Sequence, residues 1–115
     1  MRPLLGKQHT FITSVARLIL WAEQEGYQMS EGEAYRTAEQ SAWNFKQGKG
    51  IENSLHRLRL AIDLNLFKNG DFLIRSEDYA PLGEYWKSLH SEFRWGGDFD
   101  KPDGNHFSME HEGVK

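Results

Sequence analysis

From residue 60 the chain alternates. In Leu60-Ala61-Ile62-Asp63-Leu64-Asn65-Leu66-Phe67 the even positions are all Leu or Ile, which predicts a β-strand with one apolar face. Ala61, Asp63 and Asn65 then share the opposite face. Asp63 is either the polar side of a half-exposed strand or an acid kept for its charge. Lys68-Asn69-Gly70-Asp71 follows, and Asn-Gly between Leu/Phe-rich runs predicts a hairpin over 60–75 with Phe72-Leu73-Ile74 as its returning strand.

Two stretches have helical periodicity instead. Phe11, Val15, Leu18, Ile19 and Ala22 fall on one face of a helix from about 8 to 25, with Gly26 as its stop. Pro81 opens a second helix whose apolar face is Leu82, Tyr85, Trp86 and Leu89. Between them, Tyr27 to Arg36 alternates imperfectly and predicts a strand ending in a turn. Thr37 with Gln40 three residues on has capping-box spacing for a helix over about 38–46. Lys46-Gln47-Gly48-Lys49-Gly50 reads as a loop. Beyond Phe93, Trp95-Gly96-Gly97 and Pro102-Asp103-Gly104 describe a shaped loop that buries its aromatic residues, and Glu110 to Lys115 is expected to fray. The pattern is that of an α+β fold, a small central antiparallel sheet with helices packed on it.

Composition narrows the function. A chain of 115 residues makes one domain, 1–115, with its core at about 8–109. Seven Phe and four Trp suggest a core built on large rings. A formal net charge of −3 and the lack of a dense Lys/Arg cluster argue against nucleic-acid binding. The mean hydropathy of −0.71 and the polar residues within Phe11–Ala22 argue against a membrane span. There is no cysteine, so a metal must be held by His, Asp or Glu. The first residues lack a signal-peptide pattern, so the protein is expected to be cytoplasmic as made. A monomer is expected.

A zinc peptidase needs three protein ligands, an open fourth position for water, and a carboxylate that can take the water's proton. His56, Asp63 and His106 can supply the ligands, with Asp103 as the base. Asp63 would lie on the strand, His56 in the loop entering it, and His106 would have to return on an adjacent strand. The helical H-E-x-x-H pattern is absent. His9, His90 and His111 belong to no such set and are expected to be solvated.

Ser54-x-His56-x-x-x-x-Ala61-x-Asp63 followed by Asp103-x-x-His106-Phe107 resembles the zinc-dependent D-Ala-D-Ala carboxypeptidase and L-Ala-D-Glu endopeptidase family, which includes the vancomycin-resistance dipeptidases and many phage endolysins. Tyr35-Arg36-Thr37-Ala38-Glu39-Gln40 is similar to that family's Gly-Tyr-Arg-Thr-x-x-Gln segment, and Trp95-Gly96-Gly97-Asp98-Phe99 to the Trp-Gly-Gly-Asp-Trp element of its endolysin branch. The matches span roughly residues 27 to 108 in the family's order. The resemblance implies a Hedgehog-type fold, Zn2+ held by His56, Asp63 and His106, Asp103 as catalytic base, and Arg36 as oxyanion donor. Ser54 either bonds a ligand or caps the loop.

Two positions depart from the pattern. Arg59 replaces the signature glycine, so the close backbone approach that glycine permits is either not needed or achieved differently. Asn105 stands where proline is common. The implied activity is hydrolysis of the peptidoglycan stem peptide between L-Ala and D-Glu by a phage or prophage endolysin, reaching the wall after holin-type release. The alternatives are a D-Ala-D-Ala carboxypeptidase or dipeptidase, and a catalytically silent, zinc-stabilised wall-binding module.

Overall fold

The computed structural model describes residues 3–46 and 54–115. Its elements run α1 (Pro3–Gln24), β1 (Gln28–Glu31), α2 (Ala38–Lys46), β2 (Ala61–Lys68), β3 (Asp71–Leu73), α3 (Ala80–Leu89), β4 (Phe93–Trp95) and β5 (His106–Met109). Among the described residues the fold is α+β, with five antiparallel strands and helices packed against them. No helix among the described residues is long and apolar enough to cross a membrane. The loop expected at Lys46–Gly50 lies, apart from Lys46, outside the described residues.

β2 is the axis of the sheet. β1 pairs along one edge over Leu64–Phe67, while the other edge is divided between β5, which takes Ala61–Asp63, and β3, which takes Leu66–Lys68. β4 pairs with β5 on the outside. The hairpin turns at Asn69 (φ 53°) and Gly70 (φ 83°), the two left-handed residues that an Asn-Gly turn requires. Leu60, Leu64 and Leu66 are buried, whereas Asp63 and Asn65 are only half-covered.

The apolar row of β2 shares one buried core with the inner faces of α1 and α3. Phe11, Val15, Leu18 and Ala22 face inward from α1 at the expected spacing. Trp86 of α3 stacks on Phe93 at 4.0 Å between ring centroids and meets Phe11 and Phe107 edge-on at 5.5 and 6.1 Å. Its indole Nε1–H donates to the Ser108 carbonyl at 3.1 Å, so the polar tip of this buried ring is satisfied. α2 occupies 38–46, and Thr37 Oγ1 caps it by accepting from the Gln40 amide at 3.1 Å.

Four expectations need correction. α1 begins at Pro3 rather than near residue 8, because proline suits a first helical turn and Leu4 already packs on the core. The strand expected over 27–36 is only 28–31, since the backbone of 32–36 leaves β1 to bond around the start of β2 instead. Gly32 N–H donates to the Asp63 carbonyl at 2.7 Å, Asp63 N–H to the Glu33 carbonyl at 2.6 Å, and Arg36 N–H to the His56 carbonyl at 3.0 Å. Phe93–Trp95, expected within a loop, pairs with β5 as a strand. The C-terminal tail is tied down as well. Glu110 N–H donates to the Glu92 carbonyl at 2.8 Å, His111 and Val114 bond each other's backbones, and Lys7 Nζ reaches the Glu110 carbonyl.

Candidate metal centre

Strand register builds the site. Asp63 and His106 are direct partners across β2 and β5, so their side chains leave the same face of the sheet side by side. His56 arrives from the tight turn that precedes β2. Ser54 settles that turn: its hydroxyl accepts from the His56 amide at 3.2 Å and its carbonyl accepts from the Arg57 amide at 3.1 Å, so it acts as a cap.

The three side chains converge. His56 Nε2 lies 3.4 Å and His106 Nδ1 3.3 Å from Asp63 Oδ1, and one ligand atom of each residue lies within 4.8 Å of the others. Bonds of about 2.0–2.1 Å to a tetrahedral zinc ion would set neighbouring ligand atoms about 3.3 Å apart. The donor set fits such an ion, and the two separations from Asp63 Oδ1 match that spacing. Two buried atoms of the cluster, Asp63 Oδ1 and His106 Nε2, have no hydrogen-bond partner among the described residues, although both imidazoles and the carboxylate are largely covered. Leaving such atoms unpaired in a folded protein is costly, and a cation beside Asp63 Oδ1 removes the cost there.

His56 is held in one tautomer. Its Nδ1 lies 2.9 Å from the Ala34 carbonyl, which can only accept, so Nδ1 carries the proton and Nε2 presents its lone pair towards Asp63. Burial pushes the Asp63 pKa up, but the imidazoles of His106 and His56 outweigh it and draw it down to about 2. Burial lowers the His56 pKa and Asp63 more than compensates, leaving it raised.

Asp103 and Arg36 flank the cluster. Asp103 is open to solvent in the loop before β5, yet its pKa is raised, first by partial desolvation and then by the charge of Asp63, with His106 and His56 opposing. A carboxylate raised in this way, within electrostatic reach of His56, Asp63 and His106, suits proton transfer. Arg36 is largely covered, and Glu33 grips its guanidinium in a fork, Nε to Oε1 at 2.6 Å and one terminal nitrogen to Oε2 at 2.8 Å. Glu33 foremost, and Asp63 further off, keep the guanidinium charged against the desolvation it suffers.

Gly96 and Gly97 position the Asp103 loop. A Cβ on Gly96 would collide with the Asp103 carbonyl and the Cβ of His106, and one on Gly97 would enter the Trp95 ring. Trp95 in turn donates through Nε1 to the Gly104 carbonyl at 2.7 Å, clamping the far side of the same loop.

Arg59 takes φ 57°, the left-handed conformation that glycine adopts freely. The position thus requires a backbone conformation, and here an arginine supplies it. Its guanidinium lies 4.0 Å above the Tyr35 ring.

Sequence reasoning passed over Glu33 and the Ala34 carbonyl. The Glu33–Arg36 spacing of three was a visible signal; a backbone carbonyl carries none. His9 is exposed as expected, whereas His90 and His111 are half-covered: His90 Nδ1 accepts from the Glu92 amide at 3.0 Å and His111 Nδ1 lies 3.3 Å from Lys7 Nζ.

Residues 47–109, more than half of the chain, match the model of a family described as D-alanyl-D-alanine carboxypeptidase. The chain belongs to this peptidase family. Two solved structures share its fold. One is the L-Ala D-Glu endopeptidase ChiX of Serratia marcescens, at 19% identity and a TM-score of 0.69, with 95% of this chain and 87% of that one covered. The other is a mutant of the vancomycin-resistance D,D-pentapeptidase VanY from a VanB-type resistance cassette, solved in complex with Zn(II), at 19% identity and a TM-score of 0.59, with 86% of this chain and 70% of that one covered. No curated protein matches the sequence.

Proposed function

We propose that this family member is a zinc endopeptidase that cuts the stem peptide of peptidoglycan between L-Ala and D-Glu, acting as a phage or prophage endolysin. The observation that carries the reading is the convergence of His56, Asp63 and His106 on one point, with Asp103 beside them. The fold similarity to an L-Ala D-Glu endopeptidase, covering most of both chains, supports the choice of bond, and the Trp95-Gly96-Gly97-Asp98 element supports the endolysin role.

Zinc held by the three ligands would polarise the scissile carbonyl and lower the pKa of its water towards ~7. Asp103 takes the proton of the attacking water and returns it to the leaving amine. Arg36, kept charged and aligned by Glu33, donates to the oxygen on which charge develops. The Ala34 carbonyl fixes the ring of His56, so the ligand side of the site is set before substrate arrives.

The family description and the likeness to VanY favour a second reading, a D,D-carboxypeptidase acting on D-Ala-D-Ala. Digestion of purified peptidoglycan by the zinc-loaded protein, with the new termini identified by mass spectrometry, separates the two. New D-Glu amino termini support the endopeptidase and released D-Ala the carboxypeptidase. Intact peptidoglycan from protein shown to hold zinc would refute both in favour of a silent module.

A further inference from the structure

The open face of the sheet continues past the metal centre. Along β2, Asn65 and Phe67 leave the same face as Asp63. Asn65 stands opposite Ser30 of β1, its carboxamide 3.4 Å from Ser30 Oγ on one side and from Asn105 Nδ2 on the other. Contacts this long leave both carboxamides with hydrogen-bonding capacity to spare. Phe67 stands opposite Phe72 of β3, with ring centroids 5.2 Å apart, and Phe72 is 52% exposed.

Asn65, Asn105 and Phe72 line a groove of about 350 Å³ whose walls also include Asp103 and Ile74. Its floor is rigid. The Tyr79 hydroxyl accepts from the Leu66 amide at 3.0 Å and donates to the Leu73 carbonyl at 2.8 Å, and Ser76 Oγ accepts from the Gly104 amide at 3.0 Å. The five strand residues from Asp63 to Phe67 span about 13 Å, the length of about four extended substrate residues.

The chemistry of the reaction says which part of a substrate lies here. The acid that takes the water's proton also returns it to the leaving amine, so the leaving amine sits on the Asp103 side of the metal. That carboxylate lines the groove. Among the described residues that line it, none is Lys, Arg or His, so no cation fixes a chain terminus at a set distance from the metal. Two carboxamides and an exposed aromatic suit the main chain and side chains of a longer segment instead.

From this geometry we infer that the groove binds the segment of the peptide substrate lying C-terminal to the scissile bond, with Asn65 and Phe72 as the residues that select for its length. The inference rests on the zinc endopeptidase reading and deepens it, because a subsite of this reach is of no use to an enzyme that releases one terminal residue.

Steady-state kinetics of zinc-loaded protein on two synthetic stem peptides test this. Both carry the same scissile bond; one ends one residue after it, the other three residues after it. Wild type should prefer the longer peptide. Phe72→Ala and Asn65→Ala should each lower the ratio of kcat/KM, long over short, about tenfold and mainly through KM, and Phe72→Tyr should restore it. Phe72 is exposed, so its variant keeps the test valid should Asn65→Ala fold poorly; zinc content and melting temperature report on that. A ratio that stays at the wild-type value in Phe72→Ala overturns the groove assignment alone. Zinc-loaded wild type that cuts neither peptide overturns the peptidase reading, and this inference with it.

Discussion

Asp63 and His106 are register partners across β2 and β5, and Asp63 Oδ1 lies 3.3 Å from His106 Nδ1. Their convergence with His56 follows from backbone pairing, so the site can be preorganised without a ligand. His106→Ala should remove one of three donors while leaving the β2–β5 ladder intact. Zinc stoichiometry measured by atomic emission should fall close to zero, with the far-ultraviolet circular dichroism of the wild type preserved. Retention of one equivalent of zinc would rule His106 out as a ligand.

Asp103 and Arg36 should separate from the ligands by keeping the metal. Asp103→Asn removes the base and should lower kcat by roughly 10²- to 10⁴-fold. Arg36→Ala removes one donor to the developing charge and should lower kcat by about two orders of magnitude. Zinc content should match wild type in both. An Arg36→Ala enzyme with full activity would leave Arg36 as a partner of Glu33 only.

The metal-free protein should have a stability optimum in mildly acidic solution. The Asp63 pKa is depressed to about 2, so its contribution is complete above the unfolded value near 3.9 and is lost as pH falls through about 2. The His56 pKa is raised, so its contribution is complete below the unfolded value near 6.5 and is lost as pH rises through the folded one. Urea midpoints should therefore peak between about pH 4 and about pH 6.5, with a loss on the order of 2 kcal/mol on the acid side. Zinc binding requires neutral imidazole, so affinity should strengthen as pH rises past the His56 pKa. Stability of the metal-free protein that is flat across this range would show Asp63 and His56 to be uncoupled.

Arg59 sits at φ 57° with its guanidinium over Tyr35. Arg59→Ala loses the stacking and keeps the left-handed strain, whereas Arg59→Gly loses the stacking and relieves the strain. The glycine variant should be the more stable of the two by about 1 kcal/mol. Urea unfolding of both decides it, and an alanine variant as stable as the glycine one would show that strain at this position is negligible.

Gly96→Ala should damage activity from a distance. Its Cβ would collide with the Asp103 carbonyl and with His106, so either the Asp103 loop or the start of β5 must shift. We expect a melting temperature several degrees lower, in line with ~1–3 kcal/mol for overpacking, together with weaker zinc binding. Wild-type zinc affinity in this variant would mean that the loop yields without disturbing His106.

Much of this protein was legible in its sequence because local rules wrote it there. Period-two alternation gave β2 and its apolar face, Asn69-Gly70 gave the hairpin, and helical spacing gave the buried faces of α1 and α3. The candidate ligands His56, Asp63 and His106 were legible only through the resemblance to the peptidase family, since 17 acidic residues and five histidines leave many possible donors. Long-range pairing decided the rest. Nothing local to Phe93–Trp95 marks a strand, for only its β5 partner makes it one. The 32–36 segment abandons β1 because the backbone of Asp63 offers it hydrogen bonds, and that places Glu33, Ala34 and Arg36 around the site. Arg59 looked like a missing glycine until its φ showed that the position demands a conformation and not an absent side chain. Sequence specifies which groups are present, because chemistry resides in side chains; only the register of β2 with β5 could bring His106 to within 3.3 Å of Asp63 across a separation that no local pattern encodes.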